Sequence, residues 1–414
     1  MSAAKTIAEK AVVLQLLARD EVQVQQIAGD LAIPSSTVAS ILQRLAKRGL
    51  VAAGKPTING RGRPGGIYRL RLAAPVAVCQ FDGTQLVGSV VQPDLTVSGI
   101  EQIDVAPIRD LEQALELARK LFSHLKAPAG SADGALAGVA LAINAVYVGR
   151  QTLSSSVLPW AHNHVEESFE KALGVPVRVV VPMWGLAEYQ RLEDPLPSSL
   201  ACLEVGDGVG VHLVINGRVY TGGESLAGEV GHVTLRRDGP RCGCGRRGCL
   251  EAFCSGPAIV RRVLAGLSEG AASDVDRNTL EQASPRAGIE HIWQAWSAGD
   301  SLSRAVMDEV FDDLAWGLGL IVNIVDPAAM VAVGYVLEGK AMWREEIERR
   351  AHSWILTSGK RHIHLQPSRA TLEDQHRVIA CEYFFHEFLN GQPPLPQVNG
   401  ASRRPHSFTT GDSR

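Results

Sequence analysis

One histidine and three cysteines, His232, Cys242, Cys244 and Cys249, fall within eighteen residues, and glycines separate the cysteines. Imidazole and thiolate are the ligands Zn²⁺ prefers, and four of them close a tetrahedral structural site. Glycine tolerates backbone angles that other residues avoid, which lets so short a loop wrap an ion. An isolated Cys-x-Cys would suit buried free thiols or a disulfide. Cys-x-Cys-x4-Cys with a histidine ten residues upstream instead points to one structural Zn²⁺ per chain.

Two elements must position that loop. Upstream, apolar runs at Leu200–Val205 and Val209–Ile215 pair through Gly206-Asp207-Gly208; downstream, Leu250-Glu251 opens a largely helical stretch reaching about 350, with one strand at Met330–Val333. Before them come a strand and hairpin at Val76–Thr84 and Leu86–Val91, a helix at about 110–125, a strand at Gly138–Ile143, a helix at about 163–173 and a strand at Val177–Val181. Strands alternating with helices predict an α/β body. The segment 266–288 is small and polar and reads as loop. The chain from about 391 is rich in Pro, Ser and charge without apolar period, a composition that predicts disorder.

The first 72 residues differ from the rest. They hold 11 Lys/Arg against 4 Asp/Glu, leaving 30 against 40 for the remainder of a chain whose net charge is −3. A basic head on an acidic body suggests a polyanionic partner. Ile7, Val12, Val13, Leu16 and Leu17 recur at helical spacing, and Val24–Leu31 fits a second helix. A third follows Pro34 with Val38, Ile41, Leu42 and Leu45 inward. Ser35, Ser36, Thr37, Ser40, Gln43, Arg44 and Lys47 are left outward. This is a helix-turn-helix whose second helix reads DNA, its first polar residues meeting base edges and its later cations meeting phosphates. A β-ribbon starting at Val51 and returning at Ile67–Leu72 carries Arg61 and Arg63 on a Gly/Pro-rich tip that could enter a minor groove. A three-helix protein-interaction module is the alternative, and helix-turn-helix, wing and local charge together decide against it.

At 414 residues, with 45% hydrophobic and 21% charged residues, the chain has the composition of a globular protein of two or three domains. We read them as 1–72, the DNA-binding head; 73–390, the body; and 391–414, the tail. No apolar run reaches about 18 residues, so no membrane span is expected. Met1-Ser-Ala-Ala-Lys lacks the pattern of a secretory signal. Seven cysteines, three of them in a metal-like cluster, suit a reducing cytoplasm.

The winged helix, the paired-glycine hairpin, and Ala227-Gly-Glu-Val-Gly-His232 running into Cys-Gly-Cys-Gly-x-x-Gly-Cys-Leu-Glu251 together resemble the ROK family (repressor, open reading frame, kinase). Asn216-Gly217 and the run Leu318 to Pro327 match its layout, and the resemblance covers residues 7 to about 390. It implies a two-lobed, actin-like ATPase fold of the sugar-kinase type, with sugar bound between the lobes. In the family's regulators a winged helix is added and dimers or tetramers bind paired operator sites. The resemblance also assigns His232, Cys242, Cys244 and Cys249 as zinc ligands, and Glu229, His232 and Glu251 as lining the sugar pocket.

Against the family's kinases the sequence departs four times. Their Asp-x-Gly-Gly-Thr is Gln80-Phe81-Asp82-Gly83-Thr84; their Asn-Asp pair has no counterpart between Gly174 and Glu188, where Val180 or Pro182 stands for the base. Asp207 replaces a Thr of the second phosphate loop, and Tyr335 replaces the second glycine of the pair at the adenine end. Phosphoryl transfer needs a base and a phosphate cradle. The expectation is therefore a non-enzymatic regulator. It would bind double-stranded operator DNA as a homodimer or homotetramer and respond to a sugar or sugar phosphate. Trp160 and Trp184 could serve as apolar platforms but read more readily as core.

Overall fold

A computed structural model describes residues 9, 11–13, 15–16, 21–47, 50–54, 66–72, 74–82, 85–105, 108–125, 136–148, 152–155, 157–161, 164–181, 199–215, 218–223, 226–356 and 363–388. Pro34 starts the recognition helix, Ser35–Lys47, by accepting from the backbone N–H of Thr37 and Val38. Its buried residues are Val38, Ile41, Leu42 and Leu45, the stripe expected from the spacing. The helix Val24–Leu31 packs against it. Strands β1 (Val22–Gln23), β2 (Val51–Ala53) and β3 (Ile67–Leu70) form an antiparallel sheet in the order β1-β3-β2, which is the wing's base. Arg61 and Arg63 lie outside the described residues.

Leu72 passes the chain directly into the first lobe, its N–H bonded to the carbonyl of Pro93. There, β4 (Val76–Asp82), β5 (Gln85–Val91), β6 (Val97–Asp104), β7 (Gly138–Ile143) and, after the small hairpin of β8 (Val146–Val148) and β9 (Thr152–Ser154), β10 (Val177–Val180) assemble in the order β10-β7-β4-β5-β6. β10, β7 and β4 run parallel, while β4, β5 and β6 are antiparallel. Helices Leu111–His124 and Val165–Leu173 cover one face through Ala114, Ala118, Leu121, Val165 and Phe169. The other face is covered by Leu372–Phe388, whose Ile379, Ala380 and Tyr383 share one apolar cluster with Val76, Val78 and Ala140. That cluster runs on through Leu72 to Leu42, Leu45 and Ile41 of the recognition helix. Head and first lobe thus share a continuous core.

The second lobe repeats the plan. β11 (Ser199–Val205), β12 (Val209–Ile215), β13 (Arg218–Tyr220), β14 (Ala329–Val333) and β15 (Leu365–Pro367) lie in the order β13-β12-β11-β14-β15. Helices Gly256–Ser268, Pro285–Ala298, Ser301–Val325 and Ala341–Ala351 pack on it around Met307, Phe311, Leu314 and Trp343. The segment 266–288, read as loop, contains the helix Arg277–Gln282 and the start of Pro285–Ala298. Asp276 and Ser284 accept hydrogen bonds from the N–H groups of Thr279 and Ala287, so caps start both helices within this polar stretch, and the apolar stripe of the second falls mostly beyond 288. Among the described residues no helix is long and apolar enough to cross a membrane. The tail from 391, and Trp184, lie outside the described residues.

Candidate functional site

The zinc-type loop is built onto the β11–β12 hairpin. A 3-10 turn, Val230–His232, lies against β12 because Gly231 has no side chain; a Cβ there would sit 2.0 Å from the carbonyl oxygen of Val209. The chain then makes isolated β-bridges, Thr234 to Cys249 and Arg241 to Arg247, that fold the cysteines back toward His232. Gly248, at φ +72°, permits this closure, since a Cβ would lie 1.5 Å from the carbonyl oxygen of Arg236. Arg236 pins the loop to the helix Ser301–Val325, donating from both terminal nitrogens to the buried Asp313 at 2.9 and 2.5 Å and lying over the Phe253 ring.

His232, Cys242, Cys244 and Cys249 converge, with one ligand atom from each within 4.8 Å of all the others. Cys244 Sγ lies 3.8 Å from Cys249 Sγ, and Cys242 Sγ lies 3.5 Å from His232 Nδ1. A tetrahedron with Zn–S bonds of about 2.3 Å has S–S edges of about 3.8 Å, so the donor set fits Zn²⁺ in type and spacing. Those sulfurs are far too distant for a disulfide. Desolvation acts upward on the Cys244 thiol. Hydrogen bonds from the backbone and guanidinium of Arg246, with others from Cys242 and Cys249, outweigh it and bring the thiol down to about 7. Burial pushes the neighbouring Cys242 and Cys249 thiols up, so their deprotonation falls to a bound cation.

The two carboxylates expected at the pocket flank the same histidine. Glu229 Oε2 is 3.7 Å from His232 Nε2, and Glu251 Oε1 is 3.9 Å from Nδ1. Glu251 is buried at the start of the helix Glu251–Cys254, where its Oε2 accepts from the N–H of Val209, 3.2 Å away. It therefore joins the metal loop to the glycine hairpin. Burial pushes the Glu229 carboxyl up against the opposing pull of His232 and His212.

Three residues that sequence reasoning missed complete this surface. Glu204 on β11 lies 3.6 Å from His212 Nε2 on β12 and accepts from Asn144 Nδ2 of the first lobe at 3.3 Å. The signal was available: Glu204 and His212 interrupt two largely apolar strands with charged or ionisable side chains. Asn144, at the end of the apolar β7, carried no comparable signal.

The two positions expected to depart from the family's kinases, Asp207 and Tyr335, meet in the second lobe. Tyr335, 3% exposed, donates to Asp207 Oδ1 at 2.5 Å. Its ring covers Gly206, its hydroxyl abuts Gly256 at the start of the helix Gly256–Ser268, and Arg286 lies over it at 4.8 Å from the centroid. The two substitutions in the phosphate and adenine loops are thus bonded to each other. Val180 is buried in β10, and Trp160 is core, packed on Phe81 and Phe169.

In the head, Ser35, Ser36, Thr37, Ser40 and Lys47 are exposed on the recognition helix. Arg44 is committed inward: its Nε donates to the buried Glu9 at 2.8 Å and its Nη1 to Ser40 Oγ at 2.8 Å.

A profile described as the ROK family matches residues 81–387. The chain belongs to the ROK family. Among its ROK relatives are a glucokinase from Thermotoga maritima, 33% identical over 38% of this chain and 50% of its own, and the DNA-binding transcriptional dual regulator NagC from Escherichia coli, 29% identical over 46% and 44%. The chain spans about half the length of the curated relatives it matches. A ROK family transcriptional regulator described as a homolog of the E. coli MLC protein superposes with a TM-score of 0.66 at 20% identity, covering 93% of this chain and 98% of that one. A ROK family glucokinase from Streptomyces griseus superposes at 0.59 and 20%, covering 75% and 99%. The fold is thus the ROK sugar-kinase-like, actin-type ATPase fold, shared with a solved ROK transcriptional regulator.

Proposed function

We propose that this ROK protein is a zinc-containing, DNA-binding transcriptional regulator, most simply a repressor, whose interlobe cleft senses a sugar and no longer phosphorylates one. Relatives of both kinds, kinase and regulator, match the chain, so similarity alone does not choose between them. The Tyr335–Asp207 contact carries the choice. It puts a buried phenol and a carboxylate where a nucleotide would need a phosphate cradle. The missing Asn-Asp base and the basic head with its exposed Ser35, Ser36, Thr37, Ser40 and Lys47 support the same reading. Arg61 and Arg63 belong to it as wing contacts, and Arg44 as the residue that seats the helix, with reach to a phosphate from its partly exposed side.

His232, Cys242, Cys244 and Cys249 hold the Zn²⁺ in this reading. The ion fixes the His232 ring between Glu229 and Glu251, which accept hydrogen bonds from ligand hydroxyls. A ligand that draws the lobes together through Asn144 and Glu204 moves the first lobe. The shared core carries that motion into the recognition helix. Two heads on a dimer or tetramer would then change spacing against paired half-sites in the cytoplasm. Selection of genomic fragments on the purified protein tests this. Fragments sharing a partly palindromic site, released or retained when sugars are added, are expected. ATP-dependent phosphorylation of any hexose would overturn it. A regulator without a sugar effector, controlled by a protein partner, is the second reading, favoured by Val180 or Pro182 standing where the family's pocket floor is polar; it predicts operator binding indifferent to every sugar.

A further inference from the structure

The recognition helix Ser35–Lys47 presents one line of side chains away from the core. At about 100° per residue, Ser36, Ser40, Gln43 and Lys47 fall within about 60° of one another. The buried Val38, Ile41, Leu42 and Leu45 lie on the opposite side. All four residues of the outer line are exposed. In a helix-turn-helix this is the line that meets base edges.

Guanine is most often read by an arginine, and the helix has one, Arg44. It stands on the flank of that line and is already engaged. Its Nε and Nη2 both reach Glu9 Oε1 at 2.8 Å, and its Nη1 donates to Ser40 Oγ at 2.8 Å. Glu9 is 1% exposed, and its Oε2 has no hydrogen-bond partner among the described residues. Turning Arg44 outward would strand that buried carboxylate.

The hydroxyls of Ser36 and Ser40 can donate or accept and so separate the bases poorly. Lys47, at the end of the helix, is a point charge suited to a phosphate. Gln43 alone on this line offers a donor and an acceptor side by side in one plane. Among the described residues no hydrogen bond occupies its amide. Adenine presents the matching pair in the major groove, the N6 amino donor and the N7 acceptor. Guanine offers two acceptors there, cytosine a donor, and thymine an acceptor and a methyl group, so none satisfies both ends of the amide.

We propose that Gln43 is the specificity-determining residue of the recognition helix, reading one adenine in the major groove of each operator half-site. Its Oε1 accepts from adenine N6 and its Nε2 donates to N7. This rests on the DNA-binding reading above and deepens it by naming the base that the helix selects. Arg44 holds the helix on the head, and Lys47 meets the backbone one turn beyond.

Competition anisotropy with an operator fragment enriched on the full-length protein tests it, each base pair being changed in turn. Replacing one A·T pair per half-site by any other pair should cost about tenfold or more in affinity. Gln43→Ala should be indifferent at that pair, with the other positions and the salt dependence unchanged. Gln43→Glu, which presents acceptors only, should move the preference there to cytosine, whose N4 amino group is a donor. A residue with a merely structural role would not redirect base choice. Placing 7-deazaadenine at each adenine in turn removes the N7 acceptor from the major groove, and one such change per half-site should weaken the unaltered protein severalfold. That measurement decides the matter should the variants fold poorly. A base-preference profile left intact by Gln43→Ala, or full affinity for every 7-deazaadenine fragment, overturns the inference and leaves DNA binding standing. No preference for the enriched fragment over unrelated duplex overturns the DNA-binding reading and this inference with it.

Discussion

Glu251 holds two structures together. One carboxylate oxygen accepts from Val209 on the glycine hairpin, and the other lies 3.3 Å from Cys242 Sγ and faces His232. A change at the metal loop is therefore felt at the cleft wall. Cys242→Ser or Cys244→Ser should reduce zinc from about one per chain to none by elemental analysis, and should lower the melting temperature, because a structural site contributes folding energy directly. Retention of metal by both variants would rule out the four-ligand site. At the nucleotide end, Tyr335→Phe keeps the ring and removes the bond to Asp207. It should cost about 1.5–3 kcal/mol in denaturant unfolding, as expected for a hydrogen bond to a charged partner. Mg-ATP should not shift the melting temperature of the unaltered protein.

Among the elements, the recognition helix shows what a pattern does and does not reveal. Its buried stripe was legible from spacing alone, and the convergence of one histidine and three cysteines from ligand types. The commitment of Arg44 was not, because Glu9 stands beside Lys10 at the edge of an apolar run and nothing local marks it as buried. Arg44→Ala should therefore destabilise the head by about 2 kcal/mol through the stranded Glu9 carboxylate, measured by thermal unfolding. A pure phosphate contact would weaken DNA binding and leave stability unchanged. β6 escaped sequence reading because it is an edge strand with both faces largely in solvent, so no alternation survives. The helix Leu372–Phe388 escaped it for the opposite reason. His376, Val378, Ile379, Ala380, Cys381 and Tyr383 are all buried, which erases the polar face that a helical period needs. The pairing of Asn144 with Glu204 joins residues sixty apart and belongs to tertiary structure alone.

At the scale of the molecule, the late helix closes the first lobe and, through a shared core, supports the head. His376 lies in that seam, fully buried and 2.7 Å from Ser89 on β5. Burial lowers its pKa from 6.5 to about 4. Between those values the unfolded chain binds the proton and the folded chain does not. Stability from this group is thus intact above about pH 6.5 and is lost progressively as pH falls toward 4, by an amount on the order of 3 kcal/mol. His376→Gln should flatten that part of the pH–stability curve in urea unfolding. The same continuity of core ties the head to the first lobe, which the proposed sensor requires. Fluorescence anisotropy of an enriched genomic fragment at moderate salt, with excess non-specific DNA present, tests the regulator reading most directly. Saturable binding about 10³-fold or more tighter than to unrelated duplex is the expected result; binding no tighter than to unrelated duplex would contradict it.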